Sequence, residues 1–348
     1  MAELWFGIVA LMLTTYVVLD GFDLGAGALH LLVARSDQER RQVLGAIGPF
    51  WHGNEVWLLA AGGALFVAFP RVLASGLSGF YFAFFLVLWG LILRGVSIKF
   101  RGDLDHPLWR AAWDAIFAGS SAVLPILFGA ALGNLVRGLP LDARGWFSLP
   151  LFTDFTARNP VGILDWYTIL AGVFALIAVA GHGATFLLWK SDGPVHARSR
   201  CAVHWLYGAV AVLWPLLTAV TWLVNAPMLA ALPARPLAWL SLLLAVVGLV
   251  GVGRGLRTER PLTAFLGSCA FLTGMLATTA ACVFPVMLRA INQDGASLTA
   301  HNASVSPASL TTALGWWLIG APLAVAYFVI LFRLHRGKLA AAHGHEGY

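Results

Sequence analysis

Three groups of ionisable residues interrupt stretches of sequence that are otherwise apolar. The segment Leu19-Asp-Gly-Phe-Asp-Leu-Gly-Ala-Gly27 sets Asp20 and Asp23 three residues apart, so on a helix they share one face. Neighbouring carboxylates repel one another and can hold or pass protons. The competing role is a structural hydrogen bond to an adjacent helix. The segment Gly48-Pro-Phe-Trp-His-Gly-Asn-Glu-Val-Trp57 sets His52 and Glu55 three apart, with Asn54 and Trp57 beside them as structural polar groups. An imidazole and a carboxylate on one face can relay a proton or simply pair. The third group is Arg94, followed by Asp114 after a short turn, for which an ion pair between the two or snorkelling of Arg94 to the interface is expected.

Other chemistry finds little support. His52 and His182 are the histidines placed well inside apolar runs, and a six-coordinate haem would need both to face one cavity. His343 and His345 lie in the C-terminal tail. Cys201, Cys269 and Cys282 show neither metal-ligand spacing nor a disulfide framework, and no metal is expected on this chain. Phosphate-binding glycine loops, zinc motifs and nucleophile motifs are absent from the sequence.

The elements that must position these residues are membrane spans. Of 348 residues, 59% are hydrophobic and only 11% are charged, with a mean hydropathy of +0.81. A soluble domain carries roughly 25% charged residues, so lipid must solvate most of this surface. The all-α reading gives nine transmembrane helices near 4–32, 44–69, 74–98, 109–136, 162–189, 202–224, 237–253, 262–288 and 309–333. Residues 4–32 are too long for a cleaved leader and are expected to be retained as the first span.

The net charge of +6 does not point to nucleic acid, because Lys and Arg fall in short clusters between apolar runs. Fifteen of the 22 basic residues fall in alternate connections, from Arg35, Arg40 and Arg41 to Arg333, Arg336 and Lys338. Six fall on the other side: Arg71, Arg137, Arg144, Arg158, Arg235 and Arg289. The richer side is expected to be cytoplasmic, which puts the N-terminus outside and the C-terminus inside. Gly25–Asp37 and Gly181–Asp192 echo each other at the ends of the first and fifth spans. One transmembrane domain over 1–348 is expected, as two four-helix units (4–136 and 162–288) plus a ninth helix at 309–333. Such repeats also occur in solute transporters, which leaves that function open at this point.

The ordered set of motifs resembles subunit II of cytochrome bd-type quinol oxidases, with the cyanide-insensitive branch included in the likeness. It runs from Asp20-Gly-Phe-Asp-Leu-Gly-Ala-Gly27 and Trp51-His-Gly-Asn-Glu-Val-Trp57 to Ala61-Gly-Gly-Ala-Leu-Phe66 ending at Pro70. It continues through Arg94-Gly-Val96, Trp113-Asp114, Gly133-Asn134, Gly183-Ala-Thr185, Phe284-Pro285 and Asn302-Ala-Ser304. The resemblance implies a subunit of the bacterial cytoplasmic membrane with nine transmembrane helices. Its partner would be a homologous subunit I carrying haem b, haem d and the quinol-oxidising loop. Together they would oxidise quinol and reduce oxygen to water. The resemblance further implies that this chain carries no haem, stabilises subunit I and contributes Asp20, Asp23, His52 and Glu55 to a proton route. Bound quinone or lipid and small accessory subunits are also compatible with it. Many members carry Asp where this sequence has His52, which shifts the expected carboxylate role to Glu55.

Overall fold

The computed structural model describes residues 1–156 and 161–339. Arg158, His343 and His345 lie outside the described residues. The helices in chain order are α1 (Ala2–Ala28), α2 (His30–Val33), α3 (Asp37–Ile47), α4 (Trp51–Ala68), α5 (Pro70–Gly79) and α6 (Tyr81–Phe100). They continue as α7 (Pro107–Arg137), α8 (Trp166–Lys190), α9 (Gly193–Ala230), α10 (Pro236–Arg257), α11 (Pro261–Val283) and α12 (Pro307–Leu334). Two short strands, β1 (Val286–Leu288) and β2 (Leu298–Thr299), pair antiparallel between α11 and α12.

Proline opens α5, α7, α9, α10, α11 and α12, where its missing N–H costs nothing and its fixed φ suits the first turn. The shorter α3 starts on a reciprocal cap. Ser36 Oγ accepts from the Glu39 backbone N–H, and the Glu39 carboxylate accepts from the Ser36 N–H.

Among the described residues, eight helices are long and apolar enough to cross a membrane singly. A ninth crossing follows if α4 and α5, bent by 120° at Phe69, count together. The bend has a local cause: Pro70 crowds the residue before it, and Phe69 leaves the helical region at φ −136° and ψ 58°. The second expected span, 44–69, therefore starts later than hydropathy suggests. Residues 37–47 form the separate, polar-starting α3, and α4 carries the apolar run. The third expected span likewise divides into the end of α5 and all of α6.

Helix α1 lies at the centre, packed on α4, α7, α8 and α11. Its crossing with α8 is a backbone-on-backbone contact. A Cβ on Gly25 would sit 2.0 Å from the Val179 carbonyl oxygen and 2.7 Å from the Gly183 nitrogen, so no larger residue fits. The two segments that echo each other in sequence thus cross at these glycines. Phe22 of α1, stacked on Phe186 at 4.1 Å, anchors the core where α1 and α8 meet. Helices α10 and α11 pack closely together, and α12 rests on α4 with a lighter contact to α1.

Candidate functional site

The intramembrane acids and Arg94 converge on one cluster between α1, α4 and α6. Arg94 Nη2 donates to Asp20 Oδ1 at 2.8 Å and to Glu55 Oε1 at 2.5 Å. Asn54 Nδ2 donates to Asp23 Oδ2 at 2.7 Å and to the Leu19 carbonyl at 3.0 Å. Asp20, Asp23, Asn54 and Arg94 are all sealed from solvent, whereas the Glu55 side chain is 27% exposed at the edge of α4. The Tyr16 hydroxyl faces Asp20 from one turn earlier in α1.

One guanidinium cannot neutralise three carboxylates. The charge held by this cluster therefore depends on how many protons it carries, and a low-dielectric setting penalises every unbalanced charge. Several polar atoms here also lack a protein partner: Asp20 Oδ2, Asp23 Oδ1, Asn54 Oδ1, and Arg94 Nε and Nη1. Buried polar groups of this kind are usually satisfied by protein or by ordered water.

The remaining expected residues separate. His52 is exposed on the outer face of α4, its ring centroid 3.6 Å from that of Trp51, while Glu55 turns toward Arg94. His182 is fully buried, with Nδ1 2.6 Å from Ser268 Oγ and Nε2 2.8 Å from the Val18 carbonyl. His52 and His182 therefore face no common cavity. Trp57 is half-buried against Phe328 of α12, with ring centroids 6.0 Å apart.

The expected Arg94–Asp114 pair does not form, and Arg94 does not snorkel. Arg94 is 1% exposed and points across to α1 and α4, because α6 turns that face toward the two nearest acids. Asp114 instead meets His30 Nε2 at 2.8 Å, Arg40 Nη1 at 2.9 Å and Arg101 Nε at 2.6 Å. Arg101 also reaches Asp37 at 2.7 Å, so this second cluster extends to the aqueous edge at α3. At the same edge Arg198 donates to Glu39 at 2.7 Å, and this bond pulls the Glu39 carboxyl down to about 2. Burial works to raise Asp37, but its bonds from Arg101 and Arg41 prevail and lower it.

Sequence reasoning missed a third cluster at the opposite end. Arg137 pairs with Asp165 and donates from Nη2 to Asn134 Oδ1 at 2.6 Å. In the sequence Arg137 reads as a loop charge, yet its side chain is 8% exposed. Nearby, an apolar cavity of about 250 Å³ opens between α1, α7, α8, α9 and α11, lined by Tyr16, Gly21, Tyr167, Phe174, Thr221 and Met275 among others. Among the described residues, no three His, Cys, Asp or Glu side chains gather in a metal-holding group.

Residues 1–335 match the family model described as cytochrome bd terminal oxidase subunit II. This chain belongs to that family. A cytochrome bd subunit II is part of an oxidoreductase complex embedded in a membrane, and it implies a subunit I as partner. One relative is the probable cytochrome oxidase subunit 2 of Haemophilus influenzae, 30% identical, covering 97% of this chain and 95% of the relative. Another is the cytochrome bd-I ubiquinol oxidase subunit 2 of Escherichia coli K12, 31% identical over 93% of this chain and 91% of the relative. The solved bd oxidase from Geobacillus thermodenitrificans superposes with a TM-score of 0.74 at 15% identity, covering 96% of this chain and 98% of that one. That likeness speaks to the fold alone. For a cytochrome bd subunit II, the oxidase reading displaces the solute transporter that the span count alone allowed.

Proposed function

We propose that this chain is the haem-free subunit of a quinol-oxidising, oxygen-reducing oxidase, and that its Asp20–Arg94–Glu55 cluster, with Asp23, delivers protons toward the haems of subunit I. The observation that carries the proposal is the unequal charge count: three acids share one arginine inside the membrane, and one of them reaches the surface of α4. Reduction of oxygen to water consumes protons at a buried site, so a route for them is required. In this reading the cytoplasm lies at the α3 end, where the basic connections gather, and the N-terminus is periplasmic.

The α4 face that bears His52, Glu55, Val56 and Leu59 is the surface assigned here to subunit I. A partly exposed carboxylate facing lipid is costly, and a protein partner covering it removes that cost. Subunit I would hold haem b and haem d. The chain would also stabilise subunit I by covering the complementary face. The apolar cavity at Tyr167 and Thr221 suits an isoprenoid or acyl chain, from quinone or lipid.

The test is Glu55→Gln in the purified complex, with oxygen consumption and the haem absorption spectrum measured on the same sample. Slowed turnover at full haem content supports proton delivery. Loss of haem with unchanged turnover per remaining haem would leave the cluster a purely structural role.

A further inference from the structure

The acids of the site belong to a longer series. Tyr16, Asp20, Asp23, Gly27 and His30 are spaced four, three, four and three residues apart, which keeps them on one face of α1. The same face carries into α2 across the turn at Leu29. All of these residues are buried, His30 completely so.

Gly27 is not a break in this polar face. A Cβ built there would lie 2.2 Å from Ser121 Oγ, so the hydroxyl of α7 occupies the place a side chain would take. Ser121 is fully buried, and its Oγ has no protein partner. The same holds for Asp23 Oδ1 before it and His30 Nδ1 after it. An unsatisfied buried polar atom is costly, and here three such atoms follow one another along one helix face.

Beyond His30 the series meets water. Its Nε2 lies 2.8 Å from Asp114, with Phe117 edge-on at 5.3 Å. The charged groups around it are Asp114 and Arg110 of α7, Arg40 and Asp37 of α3, Arg101 after α6, and Arg198 of α9, which bonds the Val33 carbonyl. The Asp37 side chain is 39% exposed, so protons have access at that point.

We propose that His30 and Ser121 form the aqueous-side half of a proton thread that feeds Asp23 and then Asp20. This rests on the proton-delivery reading of the Arg94 cluster and adds the entry to it. The species carried is a proton from bulk water at α3. His30 takes up one proton and gives up one per transfer, at its two ring nitrogens in turn. Rotation of the ring restores the starting tautomer, and no bond or net charge changes over the cycle. Ser121 Oγ bonds neither Asp23 nor His30 directly, so the proton crosses the gap at Gly27 through water, with the hydroxyl accepting from one water and donating to the next.

The experiment uses the whole complex, with haem content checked by absorption and oxygen consumption measured at saturating quinol from about pH 6 to 8.5. In His30→Gln the amide can still bond Asp114 but cannot relay a proton. The expected result is turnover reduced about tenfold at full haem content, with a steeper fall toward high pH and a larger solvent deuterium isotope effect than the unsubstituted complex. Wild-type turnover, pH profile and isotope effect in His30→Gln would overturn the proposal. If that variant fails to assemble, Ser121→Ala decides. It removes a hydroxyl that bonds no protein group, so a structural role predicts no change, whereas the thread predicts slower turnover with a raised isotope effect. Slow Glu55→Gln beside normal His30→Gln and Ser121→Ala would reject the thread and keep the site. Normal turnover in all three would reject both.

Discussion

Arg94 and Arg137 are both arginines buried inside the helix bundle, and their surroundings differ in kind. Arg137 faces a single acid, Asp165, whose remaining oxygen caps α8 by accepting from the Tyr167 and Thr168 N–H groups. Its other donors reach Asn134 Oδ1 and the Gly138 and Gly162 carbonyls, while Asn134 itself donates to the Ala130 and Ile163 carbonyls. One arginine meets one acid there, and each side-chain nitrogen of Arg137 has a partner. Arg94 faces two acids directly and a third nearby, and both its Nε and its Nη1 lack a protein partner. A satisfied network fixes structure. A network with surplus acid and spare lone pairs has the capacity to accept and release protons.

The contrast is sharpest if each arginine is broken in turn. Arg137→Leu strands Asp165 and uncaps part of α8, and is expected to cost about 3–5 kcal/mol. Thermal loss of the haem spectrum should shift down strongly, while turnover per surviving haem stays normal. Asp20→Asn retains an acceptor for Arg94 yet removes a titrating group. It should lower turnover about tenfold with little change in that thermal midpoint. If Asp20→Asn instead destabilised the complex as much as Arg137→Leu, the distinction between the two arginines would fail.

The water-facing edge extends the comparison to weaker interactions. The Glu39 carboxyl, held down to about 2 by Arg198, lies below its usual 4.5. A lowered folded-state value contributes stability that is complete above about 4.5 and is lost as pH falls toward about 2. Glu39→Gln keeps an acceptor for the Ser36 N–H, so it should flatten thermal stability across that window and cost only about 0.5 kcal/mol near neutrality through the lost ion pair. The smallest effect is expected for His52→Asn, which alters a ring packed on Trp51 at the outer face of α4 and should change this chain's own folding stability by less than about 0.5 kcal/mol. A large loss of turnover in His52→Asn would return the imidazole to the proton route.

Much of this arrangement is readable in the sequence. Hydropathy identifies the spans, and the cost of charge in lipid singles out Asp20, Asp23, Glu55 and Arg94. What it cannot supply is rotation about each helix axis. Helices α4 and α6 are apolar nearly all round, so no polar stripe marks which face looks inward. For that reason His52 was expected beside Glu55 but turns outward, and Arg94 was assigned to Asp114 but meets Asp20. Helix α3 is legible in the sequence as well, because Ser36-Asp-Gln-Glu39 carries the spacing of a reciprocal cap. Arg137 was misplaced because a charge at the end of a span looks like a loop residue until Asp165 is brought beside it by the fold.

The glycine crossing of α1 and α8 bears on how such a protein can work. Carriers that expose a site first to one side and then to the other rely on one bundle rocking against its neighbour. Where the main chain of Gly25 rests on that of Gly183, no side-chain layer is available to slip or repack, and rocking would pull the two backbones apart. The row of polar groups on α1 is thus mounted on a fixed rail. A species carried along it, as proposed above, would be one that moves by rearranging hydrogen bonds while the rail stands still.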